Sequence, residues 1–302
     1  MSAKAAQPLV SIITPSYNQA EYLEATLRSV LDQDYPAIEY LVVDGGSTDG
    51  SVEIIRRHAG ALAWWTSEPD AGQAEAINKG LARASGEIVA WLNSDDVYRP
   101  GAVSAAVAAL AAHPAAGLVY GDVDFIDGAG RAIGRNSYRQ YGLADLLAFR
   151  IIGQPSIFLR AELLRMAGGL DPDYHYLLDH QLWIRMARLA GMAYVPTAWS
   201  AARQHGAAKN VAQAAAFAED VERILAWAEG EEDLKAMIEA QRARVVGGAE
   251  RLKGRYLLDG GRPRAALRAY ARALLFSPGW ALRHWHRMLY AGWRALIGGA
   301  DA

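Results

Sequence analysis

The stretch GEIVAWLNSDD, residues 86–96 of this 302-residue chain, decides the fold. Residues 87–92 form a short apolar run with the composition of a buried strand, and the polar residues Asn93-Ser94-Asp95-Asp96 end it. A strand that stops in a cluster of polar and acidic side chains is typical of sheets that bind ligands at the carboxyl ends of their strands.

Two earlier runs repeat this pattern. Residues 9–14 (LVSIIT) are ended by Pro15, and residues 39–43 (EYLVV) are ended by Asp44. Further strand candidates lie at residues 61–66 and 118–126. The spacing of apolar residues predicts helices between the strands, over residues 21–32, 51–58, 74–84 and 101–112. This alternation predicts an α/β fold with a mostly parallel sheet flanked by helices.

Local details are also expected around these helices. Ser47 or Thr48 can cap the second helix with a hydroxyl oxygen, and Gly86 can lie at the C-terminal cap of the third. A strong amphipathic helix is predicted over residues 179–190, within a less regular part of the chain.

Composition excludes several classes of protein. The chain is 52% hydrophobic and 21% charged, which is incompatible with wholesale disorder. Its net charge of -2 argues against a dedicated nucleic-acid-binding protein. Cysteine is absent, so disulfides, thiolate nucleophiles and cysteine-ligated metals are excluded. We expect neither a signal peptide nor a transmembrane helix, and therefore a cytoplasmic protein.

The charge is unevenly distributed along the chain. From Gln241 onward there are twelve lysines and arginines and three acids, a net charge of +9, so the remainder carries -11. The pattern is wholly helical from about residue 211, with helices predicted over 218–228, 232–245 and 265–275. We therefore expect two domains, residues 1–210 and 211–302, the second a basic helical extension.

The acidic group Asn93 to Asp96 has two interpretations. Adjacent carboxylates are costly unless a cation neutralises them, and Mg²⁺ or Mn²⁺ accepts one or two carboxylates together with phosphate oxygens. Alternatively, Ser94 or Asp95 caps the helix that begins near Pro100. The sequence leaves both open.

Other polar positions are similarly divided. Asp44 can bind a nucleoside, or its Asp-Gly-Gly-Ser context can be only a turn. Asp179 can act as a general base or stabilise a helix start, whereas His180 is more typical of packing. Arg203 and Lys209 flank His205 and can form a basic strip for a diphosphate.

The last residues, 279–302, interleave tryptophans with arginines. This pattern fits a helix lying on an anionic membrane surface, or aromatic packing onto preceding helices with arginines pointing outward. The glycine-free first loop, residues 14–18, argues against a nicotinamide dehydrogenase, whose fingerprint needs glycines there.

Taken in order, the motifs match a known family. They are VSIITPSYN (10–18), VVDGGSTDG (42–50), SEPDAGQAEAINKG (67–80) and GEIVAWLNSDD (86–96), with shorter matches at 120–122, 154–158, 179–185 and 203–205. Over residues 8–210 the chain resembles the family 2 glycosyltransferases, inverting enzymes of the GT-A fold that use nucleotide-diphosphate sugars. It is most similar to the bacterial branch that makes O-antigen and other exopolysaccharides.

The resemblance implies roles at the donor side. Asp44 would hydrogen-bond the base, typically uracil or thymine. The other residues that would bind the nucleotide sugar are Pro15, Ser16, Tyr17, Asn18, Asp70, Gln73, Asn78, Lys79, Asn93 and Ser94.

It also implies a metal site and a catalytic base. Asp95 would be the ligand for Mn²⁺ or Mg²⁺ in the family's Asp-x-Asp motif, whose first acid is Asn93 here, with Asp96 beside it. His205 matches a position that contacts the metal or diphosphate in some members. Asp179 matches the catalytic base. Gln154 and Trp183 would lie on the acceptor side.

The expected function is metal-dependent, inverting transfer of a sugar from a UDP- or dTDP-sugar to a glycan or lipid-linked acceptor, with peripheral association at the inner membrane face. An alternative is a non-catalytic sugar-nucleotide-binding or assembly protein of the same fold. A nucleotidyltransferase is disfavoured by the first loop, and processive polymer synthesis by the absence of a Gln-x-x-Arg-Trp sequence after Asp179.

Overall fold

The computed structural model describes residues 7–206 and 212–297. The chain divides into two compact units, residues 1–140 with 152–204, and residues 141–151 with 205–302. The domain boundary expected at residues 210 and 211 falls outside the described residues, as does Lys209. An internal segment, residues 141–151, also belongs to the second unit, and no pattern in the sequence predicts this.

The first unit is built on one nine-stranded sheet. Its strands are β1 Val10–Ser16, β2 Ile38–Asp44, β3 Trp64–Ser67, β4 Ile88–Trp91, β5 Val97–Tyr98, β6 Ala116–Asp127, β7 Ala132–Asn136, β8 Ile157–Arg160 and β9 Gly191–Gln204. Their order is β3-β2-β1-β4-β8-β6-β9-β5, and β7 pairs with β6. β3, β2, β1 and β4 are parallel, whereas β8 runs antiparallel to both of its neighbours. The α/β fold with flanking helices is confirmed, and the sheet is mixed, with parallel pairing among β3, β2, β1 and β4 where a mostly parallel sheet was predicted.

The helices follow in chain order. They are α1 Ala20–Leu31, α2 Ser51–His58, α3 Gln73–Leu81, α4 Ala102–Ala112, α5 Leu143–Leu147, α6 Ala161–Ala167, α7 Leu178–Leu189, α8 Phe217–Gly230, α9 Glu232–Ala240, α10 Arg242–Asp259, α11 Pro263–Phe276, α12 Pro278–Ala281 and α13 Trp285–Ile297. In α1, the apolar positions Leu23, Leu27 and Val30 are fully buried, as their helical spacing predicts.

Two of the expected caps are wrong. α2 begins after Gly50 with no side-chain cap, because Ser47 donates its hydroxyl to Asp44 instead. α3 ends at Leu81, well before Gly86. A Cβ on Gly86 would lie 2.6 Å from the Ser11 hydroxyl oxygen, so this glycine permits a close contact between chain segments rather than ending a helix.

The second unit is helical among its described residues, and the helix predicted over 232–245 is broken at Gln241 into α9 and α10. α10 and α11 pack as a pair, and Gly254 lets the Tyr270 ring approach the α10 backbone. Across residues 7–206 and 212–297, no helix combines the length and apolarity that crossing a membrane requires.

Candidate active site

The parallel strands bring their carboxyl ends to one edge of the sheet. The register pairs Ser16 with Asp44 and Asp44 with Ser67, and Trp91 lies beside Ile13 on β1. The loops that carry most of the predicted donor-site residues therefore leave the sheet side by side, where open α/β sheets bind their ligands.

Asp44 is fully buried at this edge. One carboxylate oxygen accepts hydrogen bonds from the Gly46 and Ser47 amides, at 3.1 and 2.9 Å, and from the Ser67 hydroxyl, at 2.7 Å. The other accepts the Ser47 hydroxyl at 2.6 Å. These contacts hold the Gly46–Ser47 turn, as the turn interpretation predicts. Three of the four bonds fall on one oxygen, so the oxygen that accepts only the Ser47 hydroxyl keeps capacity for a further donor such as a base N–H.

The first loop presents a single aromatic ring. Tyr17 is 63% exposed, whereas Pro15 and Ser16 before it are buried. Asn18 holds the loop in place with a left-handed backbone, φ 51°. Its side-chain oxygen accepts the Thr48 amide at 2.9 Å. Of the residues expected to contact the nucleoside, Tyr17 is thus the one that the structure exposes for stacking.

Four of the predicted donor-site residues, Asp70, Gln73, Asn78 and Lys79, lie in the loop before α3 or on that helix, and their environments differ. Gln73 donates to the side chain of Asn93 at 2.7 Å, and Asp70 lies against Gly45, so both are at the edge of the sheet. Asn78 instead binds the backbone of Leu170 through both ends of its amide, at 2.7 and 3.0 Å.

Lys79 lies on α3 and forms ion pairs with two acids of this region. Its ammonium is 3.2 Å from Glu68 and 3.1 Å from Glu75, and the hydrogen bond with Glu75 raises its pKa. Asn78 and Lys79 therefore serve contacts within the protein in this structure, and Asp70 and Gln73 are better placed to bind a donor.

The two adjacent acids have different environments. Asp96 is buried, and one of its oxygens accepts the Arg203 amide at 2.9 Å. Burial, followed by the negative charge of Asp95, raises the pKa of Asp96 well above its ordinary value. Asp95 is partly exposed. Neither acid caps a helix, because β5 intervenes and α4 begins after Gly101.

Arg203 holds the backbone of this acidic loop in place through hydrogen bonds, a role that was not predicted from the sequence. Its guanidinium donates to the carbonyl of Asp95 at 2.9 Å and to those of Asp127 and Gly128, both at 3.1 Å. It also lies 4.8 Å from the centre of the Tyr22 ring. Arg203 is 8% exposed and its guanidinium is used within the protein. The prediction that it forms a basic strip for a diphosphate is therefore wrong for this residue.

Thr26 supports the same loop from α1. Its hydroxyl lies 2.9 and 2.7 Å from the carbonyl oxygens of Ser94 and Asp96. A polar residue on the otherwise apolar face of α1 was a signal that sequence analysis overlooked, since buried hydroxyls need a partner.

A divalent cation fits this loop. Within residues 7–206 and 212–297, no three acids or histidines are grouped as a self-sufficient metal site. Mg²⁺ and Mn²⁺ do not require one, because they bind through one or two carboxylates together with phosphate oxygens and water. The two neighbouring acids and the raised pKa of Asp96 show unbalanced negative charge that a cation would offset. His205 directly follows β9 and belongs to the second unit.

The first turn of α7 lies close to the end of β4. Trp183 of α7 stacks on Trp91, with ring centres 5.2 Å apart, and Gln154 donates to the Trp91 carbonyl at 2.8 Å. Asp179 is one turn before Trp183 on the same face of the helix and is partly exposed. The structure thus brings Asp179 towards the strand end that carries the acidic loop.

Three predictions around α7 can be refined. Trp183 is 1% exposed, so it supports the site from the core and does not line it. His180 is also 1% exposed, as expected for a packing residue. Leu177, and not Asp179, occupies the N-cap position of α7. Asp179 nevertheless lies in the first turn and its carboxylate accepts the His180 amide at 2.7 Å, so it also stabilises the helix start, as the alternative interpretation predicts. Gln154 keeps one buried amide oxygen without a partner among the described residues.

Comparisons with known proteins agree with this geometry. The sequence model described as Glycosyl transferase family 2 matches residues 11–160. An uncharacterized glycosyltransferase of Mycobacterium tuberculosis is 33% identical over 186 residues, which are 60% of this chain and 69% of that protein. The chain belongs to glycosyltransferase family 2.

Two further comparisons concern a relative by sequence and a neighbour by structure. TuaG of Bacillus subtilis, whose name refers to teichuronic acid biosynthesis, is 45% identical over 96 residues, 31% of this chain and 38% of that protein. The crystal structure of TarS from S. aureus with UDP-GlcNAc has a TM-score of 0.64 at 17% identity, covering 95% of this chain and 89% of that chain. The fold is GT-A.

Proposed function

We propose that this glycosyltransferase moves a sugar from a UDP- or dTDP-sugar to a hydroxyl of a glycan or lipid-linked acceptor, with inversion at the anomeric carbon, in cell-surface polysaccharide synthesis. One observation carries the proposal. The Trp91–Trp183 stack joins the strand end bearing Asp95 and Asp96 to the helix turn bearing Asp179. This contact supports the proposal that a cation-binding loop and a general base lie at one edge of the sheet.

The donor binds along the loops of this edge. Tyr17 stacks on the nucleoside, and Asp70 and Gln73 hydrogen-bond the ribose or diphosphate from the loop before α3. The structural neighbours support a nucleotide-sugar donor, since TarS was crystallised with UDP-GlcNAc and a mannosyltransferase of Pyrobaculum calidifontis with GDP-Man. The choice of a uridine or thymidine nucleotide rests on the sequence resemblance. Asp44 holds the Gly46–Ser47 turn in shape, and its oxygen that accepts only the Ser47 hydroxyl would accept a hydrogen bond from the base.

Asp95, with Asp96 beside it, would hold the metal together with oxygens of the donor diphosphate. When bound, a divalent cation supplies electrostatic stabilisation of the departing nucleoside diphosphate. Arg203 and Thr26 keep the Asp95 backbone in position before the donor arrives, and this preorganisation lowers the cost of binding.

Asp179 acts as the general base. Its carboxylate accepts the proton of the acceptor hydroxyl as that oxygen attacks the anomeric carbon opposite the leaving group. One displacement of this kind forms one C–O bond, breaks one C–O bond and inverts the configuration. It needs no covalent nucleophile, which agrees with a chain without cysteine.

The acceptor brings the enzyme to a membrane surface at the cytoplasmic face. α13 exposes a series of large apolar side chains, Trp285 (59%), Leu289 (65%), Trp293 (54%) and Leu296 (88%). Arginines on the same helix supply the positive charge that favours anionic lipid. Residues 298–302 of the segment expected to bind lie outside the described residues.

The test is a donor screen with purified protein, Mn²⁺ or Mg²⁺ and a panel of nucleotide sugars, with nucleoside diphosphate release as the readout. Asp95→Asn and Asp179→Asn are compared with Asp32→Asn, an exposed acid at the end of α1. We expect cation-dependent release of nucleoside diphosphate from one donor. The rate of release should fall by roughly 10²-fold or more in Asp95→Asn and Asp179→Asn, and should not change in Asp32→Asn.

Other outcomes separate the alternatives. Saturable nucleotide binding without release, in the presence of acceptor extracts, would support a binding or assembly protein. Equal loss of activity in Asp32→Asn would contradict the assignment of the two acids, and absence of nucleotide binding would contradict the donor site.

A further inference from the structure

The second unit contains a cluster of positive groups around one indole ring. The guanidinium carbons of Arg150 and Arg251 lie 3.9 and 4.6 Å from the ring centre of Trp280. Arg283 follows one helical turn after Trp280. We call these four residues the Trp280 cluster. Cation–π contacts account for one arginine over a tryptophan, but two cations on the same ring also repel each other.

Neither Arg150 nor Arg251 is in ion-pair contact with an acid of the described residues, although burial lowers the pKa of Arg150 and the charge of Asp145 offsets part of that effect. Asp145, the acid nearest in sequence to Arg150, is paired with Arg244. The Nε of Arg251 is buried and has no acceptor among the described residues. A buried, charged donor without a partner is costly and needs an explanation.

The local potential is correspondingly positive. Burial, followed by the positive charge of Arg150, lowers the pKa of Arg251 to about 10. Burial and the charge of Arg251 lower the pKa of His284 to about 4. Both shifts have the direction expected where cations are concentrated and partly removed from water.

The backbone is shaped to bring these groups together. A Cβ on Gly248 would overlap the carbonyl of Ala148 and lie 2.8 Å from the Trp280 ring, so glycine is needed where three segments meet. Phe149, buried beside them, has a left-handed backbone at φ 53°, which is unfavourable for a bulky residue. Its carbonyl accepts Arg251 Nη2 at 3.2 Å. Such strain is typical of functional sites.

We propose that the Trp280 cluster binds a phosphate group carried by a lipid. Guanidinium groups suit a phosphate, because each can donate two parallel hydrogen bonds to its oxygens, and two of them lie against one indole ring here. The exposed apolar side chains of α13 belong to the same unit, and they suit a ligand that carries its phosphate on a hydrophobic chain. The site stands on its own residues and does not rest on the donor site.

The experiment uses the full-length protein and two probes. Binding of inorganic pyrophosphate is measured by titration calorimetry, and binding to vesicles of phosphatidylcholine with or without phosphatidic acid by flotation. The variants are Arg150→Gln and Arg251→Lys, and the control is Arg268→Gln, an exposed arginine of α11. Circular dichroism confirms folding, and Arg150→Lys replaces any variant that does not fold.

We expect phosphatidic acid vesicles to bind the wild type, with roughly tenfold weaker binding in Arg150→Gln and no change in Arg268→Gln. Arg251→Lys should also weaken binding, because lysine keeps the positive charge but cannot donate two parallel hydrogen bonds as a planar guanidinium does. Equal weakening in the control would overturn the site in favour of non-specific attraction. Binding of pyrophosphate but not of the vesicles would overturn the lipid part, and binding of neither would overturn the proposal.

Discussion

Replacement of Arg203 by lysine tests how the acidic loop is held. The arginine donates three hydrogen bonds, to the carbonyls of Asp95, Asp127 and Gly128. A lysine ammonium can keep about one of them. Hydrogen bonds from a charged donor contribute about 1.5–3 kcal/mol each, so the loss of two costs about 3 kcal/mol at the lower limit. In a unit of this size that lowers Tm by roughly 6–12 °C.

The assay is thermal unfolding followed by near-ultraviolet circular dichroism, with nucleotide release measured on the same samples. Arg131→Lys is the matched control, because Arg131 also bonds Asp127 but is 81% exposed. Its effect should stay within about 0.5 kcal/mol. Arg203→Lys should also need more Mn²⁺ for half-maximal release, since the Asp95 backbone is less fixed. Unchanged melting of Arg203→Lys, or an equal shift in the control, would refute the reasoning.

Three further predictions concern other parts of the chain. Glu24→Gln should destabilise the protein by about 1 kcal/mol at pH 7 and by nothing near pH 2. Although burial raises the pKa of Glu24, hydrogen bonds from His58, Arg57 and Arg28 lower it to about 2. The contribution of Glu24 to the free energy of unfolding is therefore present above pH 4.5 and is lost as the pH falls towards 2. Urea unfolding at a series of pH values measures this. Gly86→Ala should cost about 1–3 kcal/mol by the same method because of its contact with Ser11, whereas Gly60→Ala, with open space around it, should be neutral. Serine substitution of three of the exposed apolar residues of α13, Trp285, Leu289 and Trp293, should abolish flotation with anionic vesicles, and unchanged flotation would exclude α13 as the anchor.

The strands and their polar ends could be predicted because both signals are local. Apolar runs of five or six residues ended by Pro15, Asp44 or Asn93 identify β1, β2 and β4, and the order of motifs identifies the family. Helix α2 was predicted at its observed bounds for the same reason.

Long-range partners could not be predicted in this way. The bond between Arg203 and Asp96 joins residues 107 positions apart, and the bonds between Asn78 and Leu170 join residues 92 apart. No periodicity within one sequence records such pairings, so Arg203 was assigned to the ligand and Asn78 to the donor. Whether Asp95, Asp179 and His205 act as predicted depends on the bound state, and these assignments stay predictions.

The segment 141–151 has a consequence for synthesis of the chain on the ribosome. Its apolar residues Leu146, Leu147 and Phe149 are almost completely buried, and it belongs with residues that follow position 204. Ala148 meets Gly248, which is translated a hundred residues later, after a delay of roughly 5–20 s at ordinary elongation rates. During that time these side chains have no native partner in their own unit. A nascent chain halted near residue 210 is therefore expected to recruit chaperones, and truncated forms ending there to aggregate.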